Sequence, residues 1–269
     1  MQILNPDLNL LKCLSLPFNL QLFSVIKVTL SDKDVPTPTV SFECLYSKYD
    51  FGIMITASHN PYKFNGYKIK TRQGGGADKS VTDAVEKLFY KNKPKALDFE
   101  QAKSKGLIKV INITGGYVKF FAKYVNLAKI RKLKMKVLVD TMHGVGNGYV
   151  AEVLGRSNIK IDYIHNDYNP GFEGIAPEPV AGNLKELMFK VKSQGYTCGV
   201  CLDGDADRIA MVDGKGNYIN VQVLLPLLAK HMIKYRKDKG GICKTVVGSN
   251  MIDDVALDLG ATCFETPVG

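Results

Sequence analysis

The 269 residues are 45% hydrophobic and 23% charged, a globular balance that excludes a disordered chain and leaves room for one large domain or two to three smaller ones. A formal charge of +10 points to an anionic partner, either nucleic acid or phosphorylated metabolites. No stretch approaches the ~20 apolar residues of a membrane helix, so no membrane partner is expected.

The apolar run from Leu8 to Pro17 looks like an export signal only in its hydrophobicity. Asp7 stands where a basic region belongs, and no A-x-A-like cleavage site follows. A cytoplasmic location is therefore expected. Val25–Leu30 reads as a strand. Phe51–Ile55 reads as a short buried strand opening onto a polar loop. Ser80-Val-Thr-Asp83 has the form of a capping box ahead of a helix with Val81, Val85, Leu88 and Phe89 on one side. Gly116–Ala128 reads as another helix. A clearer alternation follows, with strands at Met135–Val139, Ile159–Ile164, Cys198–Leu202 and Ile209–Val212 and helices at Gly148–Leu154 and Asn183–Ser193. After the turn Asp213–Gly216 come a helix over Val221–Tyr235, a strand at Thr245–Val247, a helix over Asp253–Leu259 and a strand at Thr262–Phe264. Strands separated by helices predict an α/β fold of consecutive domains, each a mixed sheet flanked by helices. Boundaries near Gly106–Gly116 and Gly214–Asn220 divide the chain into 1–110, 111–214 and 215–269, the last an incomplete domain.

Cys13, Cys44, Cys198, Cys201, Cys243 and Cys263 are scattered, and reduced thiols are expected. Cys198 and Cys201 form a C-x-x-C with no second pair or histidine nearby for zinc, and their strand places them on opposite faces. Lys129–Lys136 alternates basic and apolar residues, but no nucleic-acid-binding motif accompanies it, so no nucleic-acid partner is expected.

Two segments carry chemistry. In Thr56-Ala-Ser-His-Asn-Pro61, Ser58 follows an apolar strand and stands at a strand end, where α/β proteins place ligand crevices. His59 and Lys68 are possible proton carriers, although a capped turn explains the segment equally well taken alone. In Asp203-Gly-Asp-Ala-Asp-Arg208, three carboxylates alternate with small residues directly after a strand. Such a set suits a hard cation such as Mg²⁺, and the Arg208 fork suits a phosphate. The calcium-loop alternative fails, since Arg208 and Gly214 occupy the positions that need Gly and Glu. His143-Gly-Val-Gly-Asn-Gly148 is either a phosphate cradle or a tight helix entry. Glu173–Pro179 is a rigid loop without an assigned role. His165 and His231 read as ordinary structural or surface histidines.

Together Val35–Pro38, Gly52–Pro61, Asn65–Lys68, Pro177–Pro179 and Asp203–Arg208 resemble the α-D-phosphohexomutase family, the phosphoglucomutase and phosphomannomutase group, from about Ser31 to the last residue. The resemblance implies that Ser58 carries a phosphoryl group and joins Asp203, Asp205 and Asp207 around Mg²⁺. It implies Lys68 as general acid/base with His59 close by, and Arg208 supporting the phosphate. The implied reaction interconverts hexose 1-phosphates and hexose 6-phosphates of glucose or mannose through glucose 1,6-bisphosphate or its analogue, which also serves as activator. Family members have four domains. The chain is therefore expected to be shortened at both ends, without the early arginine, the G-E-x-S-type sugar loop and the fourth domain. An inactive remnant that binds Mg²⁺ and phosphosugar without turnover is the alternative expectation. Neither hexose preference nor oligomeric state is legible.

Overall fold

The computed structural model describes residues 26–91 and 97–268. The apolar run at Leu8–Pro17, and Cys13 within it, lie outside the described residues.

The first region comprises β1 (Val28–Ser31), α1 (Thr37–Tyr46), β2 (Phe51–Ile55), β3 (Tyr67–Thr71), α2 (Lys79–Glu86), α3 (Phe99–Ser104) and β4 (Ile108–Ile111). β1 and β4 pair in parallel, and β2 and β3 form an antiparallel pair with Met54 opposite Lys68. Pro38 suits the first turn of α1, where a missing N–H costs nothing. The expected buried strand is an edge-like one: Phe51 is 40% exposed and only Met54 is buried, because among the described residues β3 is the sole strand paired with it. The expected capping box is not used either. α2 begins at Lys79 behind Asp78, and none of its residues is buried.

The second region comprises α4 (Thr114–Tyr124), α5 (Leu127–Ile130), β5 (Lys136–Asp140), α6 (Tyr149–Leu154), β6 (Lys160–Ile164), α7 (Lys185–Ser193), β7 (Cys198–Leu202), β8 (Ile209–Asp213) and β9 (Tyr218–Ile219). The helix expected over Gly116–Ala128 is two helices, because Val125 turns extended and Asn126 accepts the Lys129 N–H to start α5. The five strands form one sheet in the order β6-β5-β7-β8-β9. β6, β5 and β7 are parallel and β8 and β9 antiparallel, so the sheet is mixed. β9, paired with β8, lies within the segment Gly214–Asn220 where the boundary was expected.

The core sits here. Leu184, which caps α7, and Leu187 and Val191 within it pack with Leu138, Cys201 and Val212 of the sheet, each at most 2% exposed. Burial of such side chains stabilises by about 1.5–3 kcal/mol apiece. Cys201 is in this core and Cys198 is half-buried, with both thiols free.

The third region comprises α8 (Val221–Lys230), continued by a π-type turn at His231–Tyr235, then β10 (Ile242–Thr245), α9 (Met251–Asp258) and β11 (Cys263–Thr266). β10 and β11 pair in parallel. The strand expected at Thr245–Val247 lies earlier: residues 242–245 pair with 263–266, which leaves Val246 and Val247 55% and 66% exposed. No helix among the described residues is long and apolar enough to cross a membrane.

Candidate active site

The core sheet delivers the acidic loop. β7 ends at Leu202, and the chain turns over Asp203–Arg208 before entering β8. Asp203 and Asp205 are fully buried and Asp207 is partly open. Asp203 Oδ1 accepts the backbone N–H groups of Asp207 and Arg208, both at 2.9 Å, so this carboxylate closes the loop on itself. Its other oxygen, Oδ2, is buried and accepts no hydrogen bond.

The hairpin of β2 and β3 delivers the serine. Ser58 has a left-handed backbone, φ 55°, held by its N–H donating to Thr56 Oγ1 at 2.8 Å. Non-glycine residues in that region cost of order 1–3 kcal/mol and cluster at functional sites. Ser58 Oγ donates to Asp205 Oδ1 at 3.4 Å. Lys68 Nζ, from β3, donates to Asp205 Oδ2 at 2.7 Å, Asp207 Oδ2 at 2.8 Å and Ser58 Oγ at 3.3 Å. A cleft over the serine is lined by Thr56, Asn60, Tyr62, Phe64, Phe172 and Gly204.

Arg208 and His59 meet on the other side, where Arg208 Nη2 donates to His59 Nδ1. Glu178 faces both, 3.7 Å from Arg208 Nη1 and 3.9 Å from His59 Nε2. Ser58, His59, Lys68, Asp203, Asp205, Asp207 and Arg208 therefore lie in one connected contact network.

The seam between the two loops is backbone against backbone. A Cβ on Gly204 would lie 2.8 Å from the Ser58 carbonyl oxygen and 3.1 Å from Pro177 Cγ. A Cβ on Gly144 would lie 2.5 Å from the Gly204 oxygen. Val145 N–H donates to that same oxygen at 3.1 Å. Of the two readings left open for His143–Gly148, the structure supports the tight one: Gly144 serves close approach to the acidic loop.

Burial raises the Asp203 carboxyl well above the usual carboxylate range, and the neighbouring carboxylates add to it. Burial also pushes Asp205 up, but donation from Lys68 and Thr37 outweighs it and holds Asp205 below that range. For Lys68, burial works against the charge, and the hydrogen bonds to Asp205 and Asp207 overcome it and raise the ammonium. The three aspartates offer oxygens within 4.8 Å of one another. An all-oxygen set with one buried oxygen that accepts no hydrogen bond fits a hard divalent cation such as Mg²⁺.

Two participants escaped the sequence reading. Thr37 donates its hydroxyl to Asp205 Oδ2 at 2.7 Å and its N–H to the Asp205 carbonyl at 2.9 Å. Glu178 braces His59 and Arg208. Both belong to segments quoted for the family resemblance, Val35–Pro38 and Pro177–Pro179, which was the available signal.

Comparison with known proteins identifies the domains that carry these residues. Models of phosphoglucomutase/phosphomannomutase α/β/α domains I, II and III match residues 23–96, 115–216 and 221–269. The first match starts ahead of Ser31, where the resemblance was expected to begin. A phosphoglucomutase/phosphomannomutase of Thermococcus kodakarensis is 33% identical over 87% of this chain and 50% of its own. A Methanosphaera stadtmanae protein, provisionally named a phosphoglucosamine mutase, is 34% identical over the same shares. The crystal structure of a Thermus thermophilus protein, provisionally titled a phosphomannomutase, superposes with a TM-score of 0.80 at 28% identity, covering 90% of this chain and 54% of that one. The chain spans about half the length of the curated relatives it matches.

Proposed function

The chain belongs to the phosphoglucomutase/phosphomannomutase family, and we propose that it carries the phosphoryl-transfer half of a phosphohexomutase site with Ser58 as carrier. The substrates are hexose 1-phosphates and hexose 6-phosphates, of glucose, mannose or an amino sugar. The observation that carries this reading is the contact set of Ser58 Oγ, Lys68 Nζ and the Asp205 carboxylate, closed across 147 residues of sequence.

Phosphoryl leaves Ser58 Oγ for a free hydroxyl of a hexose monophosphate. The Oγ–P bond breaks, a sugar O–P bond forms, the hydroxyl proton passes to a base and Oγ takes up a proton. The resulting 1,6-bisphosphate reverses its orientation and returns its other phosphoryl group to Oγ. Lys68, held as the ammonium by Asp205 and Asp207 and 3.3 Å from Oγ, delivers the proton to the serine and recovers it on the return. His59 is the second proton carrier. Arg208 presents donors to phosphoryl oxygens, and Glu178 and His59 fix its fork. Asp203, Asp205 and Asp207, with an oxygen on Ser58, would hold Mg²⁺, which would supply charge neutralisation for the transferring group. Positioning and electrostatics account for most of phosphoryl-transfer catalysis, and this site consists of little else.

A coupled assay with glucose, mannose and glucosamine 1-phosphates, primed with the matching 1,6-bisphosphate, tests the reading. Mg²⁺-dependent turnover that disappears in Ser58→Ala and falls by about 10²–10⁴-fold in Lys68→Met supports it. Phosphoryl uptake on Ser58 without turnover limits the chain to the half-reaction. Absence of both rejects the proposal.

A further inference from the structure

Behind the acidic loop lies a second cluster that the phosphoryl chemistry does not use. His143 follows β5, His165 follows β6, and Glu173 sits in the 3₁₀ turn Phe172–Gly174. We propose that His143, His165 and Glu173 form a second metal site, for a borderline divalent ion of the zinc type.

Four observations support the assignment. One ligand atom from each residue lies within 4.8 Å of the others, and His143 Nε2 is 3.7 Å from Glu173 Oε1. Ligands around tetrahedral zinc, with bonds of about 2.0–2.2 Å, stand a little closer than this, so small side-chain shifts close the set. Both histidines are already oriented from behind. His143 Nδ1 is 3.0 Å from Asp167 Oδ1, and His165 Nδ1 is 3.0 Å from Asp140 Oδ1. Carboxylates in that position fix the tautomer that leaves Nε2 free for a metal, the usual support of a zinc-bound histidine. The histidine side chains are 4% and 20% exposed while that of Glu173 is 56% exposed, which gives a buried seat with an entry from solvent. Finally, all three residues hold left-handed backbone, φ 56°, 47° and 53°, as do the adjacent Met142 and Phe172. Among the described residues ten non-glycine positions do so, and five of them are here. That concentration marks a conformation imposed for side-chain placement.

Two imidazoles and one carboxylate select zinc and its neighbours over the hard cation of the aspartate loop. Three protein ligands leave a position for water. The ion would tie the ends of β5 and β6 to the turn leading into Pro177 and Glu178, and so pin the wall on which Gly204 and Arg208 rest. The rival is a plain ion-pair network, in which Asp140 raises His165 to about 9 and the ring keeps a proton facing Glu186 at 3.3 Å.

The test uses the full 269-residue chain in excess Mg²⁺. Zn²⁺ is added in a calorimeter, and Co²⁺ in a parallel absorption titration. The expected result is one equivalent of Zn²⁺ and cobalt d–d bands without thiolate charge transfer, unchanged in Asp205→Asn. Asp167→Asn and Glu173→Gln, at exposed positions that leave the metal-free melting temperature alone, should each weaken binding by about 10–100-fold. The proposal is overturned by absence of stoichiometric Zn²⁺ binding, by binding indifferent to Glu173→Gln, by a thiolate band, or by loss of binding in Asp205→Asn. None of these outcomes bears on Ser58 as phosphoryl carrier.

Discussion

The two halves of the candidate site are built to different standards of rigidity. The acidic loop hangs from β7 in the middle of the five-stranded sheet, with Asp203 and Asp205 fully buried and the loop's own N–H groups tied to Asp203. The serine hangs from a two-stranded hairpin whose residues are mostly half-exposed, and it reaches the acidic loop through Lys68, Oγ and one close backbone seam. On the proposed function, the part that would hold charge is fixed by the core, and the part that would exchange a group is fixed by a few polar contacts. A displaced metal ligand would then scatter charge, whereas a carrier serine would have to meet two ends of a sugar in turn.

This contrast can be broken from either side. The largest effect is expected from the core. Leu187→Ala, at a fully buried position beneath β7, should cost about 2–5 kcal/mol in urea unfolding. Next comes the seam. In Gly204→Ala the new methyl group meets the Ser58 carbonyl, and such overpacking costs about 1–3 kcal/mol. Its effect on phosphoryl uptake should exceed its effect on the melting temperature, and equal losses would show that the seam is merely structural. Thr37→Val removes the buried donor to Asp205 Oδ2 and should cost about 1–3 kcal/mol. If urea unfolding shows no change, Thr37 does not brace the acidic loop.

The smallest effect belongs to the thin third region, where Leu257 is 82% and Phe264 57% exposed. Lys244, itself buried, lies 2.6 Å from Asp253 and holds that carboxyl below its ordinary value of 3.8. A depressed folded value means the pair stabilises above about pH 4 and that this contribution is lost as pH falls through the folded value. Asp253→Asn should therefore lower stability slightly at neutral pH and flatten the acid limb, with the difference from the parent chain vanishing at low pH. An unchanged acid limb would remove the pair from the account.

How much of this was readable in advance follows from range. Asp203-Gly-Asp-Ala-Asp-Arg208 declares itself within six residues after a strand, and the βα alternation from Met135 onward is local in the same way. The order of the sheet is not, because β9 joins it only through a turn that looked like a boundary. Thr37 meets Asp205 across 168 residues, and no spacing rule reaches that far. Val246 and Val247 have the β-branched character of a strand, yet pairing selected Ile242–Thr245 and left them outside. His165 read as ordinary because its partners Asp140 and Glu186 come from two other elements.

The central claim is that Ser58 carries the phosphoryl group. Incubation of the chain with Mg²⁺ and glucose 1,6-bisphosphate, followed by intact mass and peptide mapping beside Ser58→Ala, tests it most directly. One added phosphoryl group, mapped to Ser58 and absent from the variant, is the result expected. A group on another residue, or one that persists in Ser58→Ala, would contradict it.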